Sequence, residues 1–135
     1  MQEEIIRIIL DHYPDTQAIY LFGSFNTENE WPDSDLDIGL LLPPLQARNE
    51  LFSALSPCSM SLADCVGKDV DLINVRQVST VFQKEITTTG RLLYCADRYA
   101  TDEFEMLVLS YYQKLNEERR EILDSFLQTG RAYDV

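Results

Sequence analysis

A small mixed β-sheet of about four strands, flanked by helices and followed by one long C-terminal helix, is the α/β (α+β) architecture expected of this chain. Three observations point there. Short β-branched and aromatic runs alternate with segments whose apolar residues recur at helical spacing, which is the pattern of helices packed on a sheet. The length of 135 residues suits one ordinary domain with one core, so residues 1–135 are expected to form an undivided unit. With 45% hydrophobic and 25% charged residues, and only 5 Gly and 5 Pro, the composition is globular rather than disordered or collagen-like.

The elements follow in chain order. Glu3 to His12 carries Ile5, Ile6, Ile8 and Ile9 at helical spacing and is stopped by Pro14. Ala18 to Phe22 is a β-branched and aromatic strand that ends at Gly23-Ser24, where Gly permits a tight turn and Ser can cap the next helical turn. Asn26 to Ser34 is polar, contains Pro32 and Asp33, and reads as a loop. Asp35 to Leu42 alternates and then becomes continuously apolar, as a strand does when it runs from a wet edge into a core covered on both faces. Leu45 to Leu55 and Ser61 to Val66 read as helical, with Pro57 as an interruption. Lys68 to Val75 repeats the pattern of alternating acids followed by apolar residues and is expected to be a third strand. Val78 to Thr89 is a helix closed by Gly90, and Arg91 to Cys95 a fourth strand. Thr101 to about Thr129 is a long helix, with Thr101 suited to its start and Gly130 to its stop.

Charge and cysteine usage exclude several function classes. Twenty-three acidic against eleven basic side chains give a net charge of -12, which repels nucleic-acid phosphates and anionic lipid alike. Cys58, Cys65 and Cys95 form no CxxC pair and are too few for a disulfide framework, so a reducing cytosol is expected. The acidic start Met1-Gln2-Glu3-Glu4 is unlike a basic signal-peptide start, and the most apolar stretch, Ile38 to Leu42, stops at Pro43-Pro44, far short of a membrane span. A cytoplasmic protein without direct nucleic-acid or membrane binding is the expectation.

The chemistry concentrates in five residues. Gly23-Ser24 is followed after ten residues by Asp35-Leu36-Asp37, and Asp71 opens the next strand in the same manner. Residues i and i+2 of a strand point to one side, so Asp35 and Asp37 can present carboxylates about 6 to 7 Å apart, and Asp71 on a neighbouring strand can supply a third. Three such anions repel one another unless a hard divalent cation neutralises them, and Mg²⁺ is usually held by a few carboxylates together with substrate phosphates. Gly23 and Ser24 at a strand-to-helix turn add backbone N–H groups and a hydroxyl for such a phosphate. Metal-assisted phosphoryl-type transfer fits the whole set. The plain alternative is that these acids only cap a loop and solvate a strand end.

The array Gly23, Ser24, Asp35, Asp37 and Asp71 resembles the signature of the DNA polymerase beta-like nucleotidyltransferases: Gly-Ser, a spacer, Asp-x-Asp and a later third Asp. The short chain, the helix before the first strand and the Gly90-Arg91-Leu92-Leu93-Tyr94 segment make it most similar to minimal nucleotidyltransferases of the MntA type, antitoxins paired with HEPN-domain toxins. The resemblance covers about residues 3–95. It implies transfer of AMP from ATP to a tyrosine of a HEPN ribonuclease toxin. It further implies that Asp35 and Asp37 hold Mg²⁺, that Asp71 completes the metal site and helps deprotonate the attacking hydroxyl, and that Gly23 and Ser24 hold the triphosphate. Two other readings stay open: a small-molecule nucleotidyltransferase of the aminoglycoside-modifying kind, and a non-catalytic antitoxin that covers its partner.

Weaker signals accompany the array. Lys84 and Arg91 are candidates for neutralising the β- and γ-phosphates of ATP, against the plainer role of solvating the surface. Trp31 is a candidate for stacking under adenine or meeting a partner, against covering the core. His12 is expected at a helix end without catalytic duty. In the last helix Phe104, Leu107, Val108, Tyr111, Tyr112 and Leu115 form one apolar group, and Ile122, Leu123, Phe126 and Leu127 a second beyond the charged run Glu117 to Glu121. The second group either lies over the sheet or protrudes as a docking face.

Overall fold

The structure, a computed structural model, describes residues 2–22, 36–53 and 56–129. Four strands form one sheet in the order β3-β2-β1-β4: β1 (Ala18–Phe22), β2 (Leu36–Leu41), β3 (Val70–Asn74) and β4 (Arg91–Cys95). β1 runs antiparallel to both β2 and β4, whereas β2 and β3 are parallel, so the sheet is mixed as the sequence leads one to expect. One end of the sheet therefore collects the end of β1 and the starts of β2, β3 and β4.

The period of two along each strand divides the side chains between two cores. Ile19, Leu21, Leu36, Ile38, Leu40 and Leu72 pack on one face with α1 (Gln2–His12) and α3 (Pro57–Val66), whose Ile5, Ile9 and Leu62 are completely buried. Ala18, Tyr20 and Leu41 pack on the other face with Ile86 of α4 (Thr80–Thr89) and with Phe104 and Val108 of α5 (Arg98–Thr129). Burial on both faces explains why β2 reads as nearly continuous apolar sequence. Gly39 in its middle is the exception, because a Cβ there would stand 2.7 Å from Val75 Cγ2 and 3.4 Å from the Phe22 ring. The close approach requires glycine.

Several boundaries differ from the sequence expectation, each for a local reason. Of the helix expected over 45–55, α2 (Pro44–Asn49) forms and Glu50 turns extended at φ -100 and ψ 128, while residues 54 and 55 lie outside the described residues. Its end is tied to β3, where the Asn74 side-chain amide donates to the carbonyls of Ala47 (2.7 Å) and Glu50 (3.2 Å). Pro57 opens α3 instead of interrupting a helix. It sits at the first helical position, where a missing N–H costs nothing, behind Ser56, whose Oγ accepts the N–H of Ser59. Gly67 closes α3 in the left-handed conformation at φ 73. α4 begins after a single 3-10 turn at Val75–Gln77, with Ser79 as its cap.

α5 starts at Arg98, three residues before the expected Thr101. Asp97 provides the start, its Oδ1 accepting the N–H of Ala100 at 3.0 Å. Thr101 is buried, and its hydroxyl donates to the carbonyl of Asp97. No helix among the described residues is long and apolar enough to cross a membrane.

Candidate active site at one end of the sheet

Asp37 and Asp71 are brought together by strand register. Asp37 is the second residue of β2 and pairs with Asp71, the second residue of β3, across the parallel ladder, and with Phe22 across β1. Neighbouring strands lie about 4.8 Å apart, so the two carboxylates leave adjacent backbones on the same face. That face is the one covered by α4 and α5, because the flanking residues Leu36, Ile38, Val70 and Leu72 all belong to the opposite core. Asp71 is exposed and Asp37 half-buried, which leaves the pair at the wet rim of the sheet. Two hard oxygen donors at that spacing suit Mg²⁺, which takes carboxylate oxygen together with water and phosphate.

Asp35, Gly23, Ser24 and Trp31 lie outside the described residues. Among the described residues no cluster of three acidic, cysteine or histidine side chains forms, and Asp35 is the member of the expected triad that lies outside them. The chain positions are still informative. Gly23 directly follows the last residue of β1 and Asp35 directly precedes the first residue of β2, and both strand ends belong to the end that carries Asp37 and Asp71.

The two expected phosphate-binding cations fall in different places. Arg91 opens β4 at the same sheet end, but it pairs with Leu21, whose side chain lies in the core under α1 and α3. Strand alternation therefore puts Arg91 on the face opposite Asp37, with β1 between them. The register shift between Ile19 and Tyr20 contributes to this placement, since Tyr94 pairs with Ile19 but Leu92 with Tyr20. Lys84 is on α4, over the face that carries Asp37, and its Nζ lies 5.0 Å from the centroid of the Tyr112 ring of α5. That distance is a cation–π contact, which places the ammonium between the two helices.

One contributor was not singled out from the sequence. Phe22 pairs with Asp37 and packs edge-on against Phe82 of α4, with ring centroids 5.8 Å apart and planes at 80°. With Gly39 beneath it, this aromatic pair forms an apolar floor beside the carboxylates. The available signal was a strand-ending aromatic directly before Gly23 and a glycine two residues after Asp37 on the same strand face.

Comparison with known proteins agrees with this arrangement. The family model described as Polymerase beta, Nucleotidyltransferase matches residues 3–99. The protein adenylyltransferase MntA of Shewanella oneidensis is 34% identical over 135 residues, spanning 97% of this chain and 91% of its own. A toxin-antitoxin crystal structure with AMP-PNP superposes with a TM-score of 0.74 at 30% identity, covering 93% of this chain and 98% of that one. A complex of the MNT antitoxin with a tri-AMPylated Shewanella oneidensis HEPN toxin gives a TM-score of 0.65 at 30% identity, covering 93% of this chain and 95% of that one. A family match over most of the length, a relative above 30% identity and a shared sheet lead to one conclusion: the chain belongs to the polymerase beta-like nucleotidyltransferase family.

Proposed function

We propose that this chain is a protein adenylyltransferase, an antitoxin that transfers AMP from ATP to a tyrosine of a HEPN-domain toxin and so neutralises it. The observation that carries the reading is the in-register pair Asp37 and Asp71 at the sheet end where β1 leads into Gly23-Ser24 and β2 emerges from Asp35. The name of the MntA relative and the AMPylated toxin in a similar complex support the choice of acceptor. A cytoplasmic place of action fits three free thiols and the ATP supply. The catalytic part is residues 3–95 of a single 1–135 domain, and α5 is its C-terminal addition.

In this reading Asp35, Asp37 and Asp71 hold Mg²⁺, which when bound supplies positive charge to the reacting phosphate. Gly23 and Ser24 hold the triphosphate through backbone N–H groups and the hydroxyl. The acceptor tyrosine oxygen forms a bond to the α-phosphorus, the bond from that phosphorus to the bridging oxygen breaks, and pyrophosphate leaves. Asp71, the more exposed carboxylate of the pair, accepts the phenolic proton. Lys84 is assigned to pyrophosphate charge from the face that carries Asp37, whereas Arg91, on the opposite face, stays at the rim of β4.

The test is label transfer from ATP carrying the isotope at the α- or the γ-phosphate, with Mg²⁺ and the cognate HEPN protein. Transfer of α-label but not γ-label to the toxin is expected, and Asp37→Asn should lower it by roughly two orders of magnitude. Toxin that is neutralised by Asp37→Asn protein without any label would mean an antitoxin acting by occlusion. Label found only on small molecules would mean a different acceptor class.

A further inference from the structure

α5 is too long for the sheet it covers. Its 32 residues span about 48 Å, whereas strands of five or six residues span about 17 to 20 Å. It starts at the sheet end opposite Asp37, where the N–H groups of Ala96 and Asp97 bond the carbonyl of Gln17, the residue before β1. Its contacts then move away from that end. Phe104 lies under Arg76, which is bound to the Leu42 carbonyl just past β2. Glu105 accepts from the Tyr20 hydroxyl at mid-strand, and Tyr112 meets Lys84 halfway along α4. The remaining turns run on toward the end that carries Asp37 and Asp71.

The stripe that anchors the helix continues into that overhang. Phe104, Val108, Leu115, Ile122 and Phe126 fall within about 40° of one another around the axis at 3.6 residues per turn. The first two are 6% and 2% exposed, whereas Ile122 and Phe126 are 54% and 43% exposed. The overhanging stripe therefore faces the same way as the buried one, toward the plane of the sheet but past its edge. A partner packed against it stands directly off the sheet end where the carboxylates lie. An acceptor protein must occupy that position for its tyrosine to reach the α-phosphate.

We infer that the distal part of α5, through Ile122 and Phe126, is the docking arm for the HEPN toxin and sets the position of its acceptor tyrosine. The inference rests on the proposed adenylyl transfer. It is tested with the double variant Ile122→Gln/Phe126→Gln of the full chain, glutamine being a good helix former that removes the apolar surface. Met106→Gln, on the opposite side of the helix and 69% exposed, serves as control. The double variant should raise the KM for the cognate toxin at least about tenfold, with kcat at saturating toxin and affinity for a fluorescent ATP analogue unchanged, while the control leaves all three as they are.

An unchanged KM in the double variant overturns the inference. So does sedimentation showing a wild-type dimer that the double variant dissociates, since the stripe would then belong to a second copy. If wild type labels no toxin, the adenylyl reading fails first, and a toxin-binding isotherm still decides docking by whether the double variant weakens it.

Discussion

Tyr20 shows how one buried polar residue links the sheet to the long helix. It is 1% exposed in the core under α4 and α5, and its hydroxyl donates to Glu105 Oε1 at 2.8 Å. Burial first, and then the carboxylate, hold its ionisation well above the usual phenol range. Burial likewise pushes the Cys58 thiol up to about 11, and Tyr13 is raised for reasons of the same kind. A group whose pKa is raised on folding stabilises fully below its unfolded value and loses that contribution as pH climbs through the folded one. Stability against urea should therefore fall progressively from about pH 9 upward and not respond to these groups below it. Tyr20→Phe should make the alkaline fall shallower while costing about 1.5 kcal/mol at neutral pH, the lower range for a hydrogen bond to a charged acceptor. Urea titrations at several pH values measure both.

At the same scale, the sequence made the acids legible and left the cations ambiguous. Asp37 and Asp71 stand out because each interrupts an apolar strand at its start, and strand pairing needs only that pattern. Arg91 could not be assigned to a face, because its side depends on the register shift between Ile19 and Tyr20, a tertiary detail of β1 and β4. Lys84 could not be assigned either, since its ring partner lies on α5, 28 positions later in the chain.

Among the elements, strands were legible to within a residue or two because their apolar runs are short and bounded by Gly, Pro and acids. Helix ends were less so where the stop is tertiary. The α2 segment has no helix breaker at Glu50, and what ends it is the Asn74 amide pulling two of its carbonyls toward β3. The Asn74 Oδ1 is itself buried and has no hydrogen-bond partner among the described residues. Replacing Asn74 by Ala removes that orphaned acceptor but also the bonds to the carbonyls of Ala47 and Glu50, the first of which keeps only the long 3.4 Å bond from the Glu50 N–H. The second effect should win, because two hydrogen bonds are lost against one desolvated oxygen relieved, for a net destabilisation of about 1 to 2 kcal/mol. Chemical denaturation of Asn74→Ala reads this directly, and a variant as stable as wild type would show that the Asn74 bonds contribute nothing net.

Considered whole, the molecule carries more than twice as many acids as bases, 23 against 11, and gathers two of the acids at one sheet end. Such a surplus raises the free energy of the compact state through self-repulsion, and mobile ions reduce that cost within a Debye length of about 10 Å at 0.1 M. The exposed i,i+4 pair of Arg98 with Asp102, at 3.5 Å, is worth at most a few tenths of a kcal/mol and weakens in salt. Screening of repulsion should therefore outweigh screening of attraction, and the melting temperature should rise by several degrees as NaCl goes from roughly 20 to 500 mM. Charge reversal at exposed acids just before β1, at the sheet end opposite the candidate site, such as Asp11→Lys with Asp15→Lys, should raise the low-salt melting temperature and flatten its dependence on salt. Calorimetric scans across ionic strength make the comparison. A melting temperature that falls with salt would mean that attractive pairs dominate, and that the surplus charge is locally balanced rather than spread.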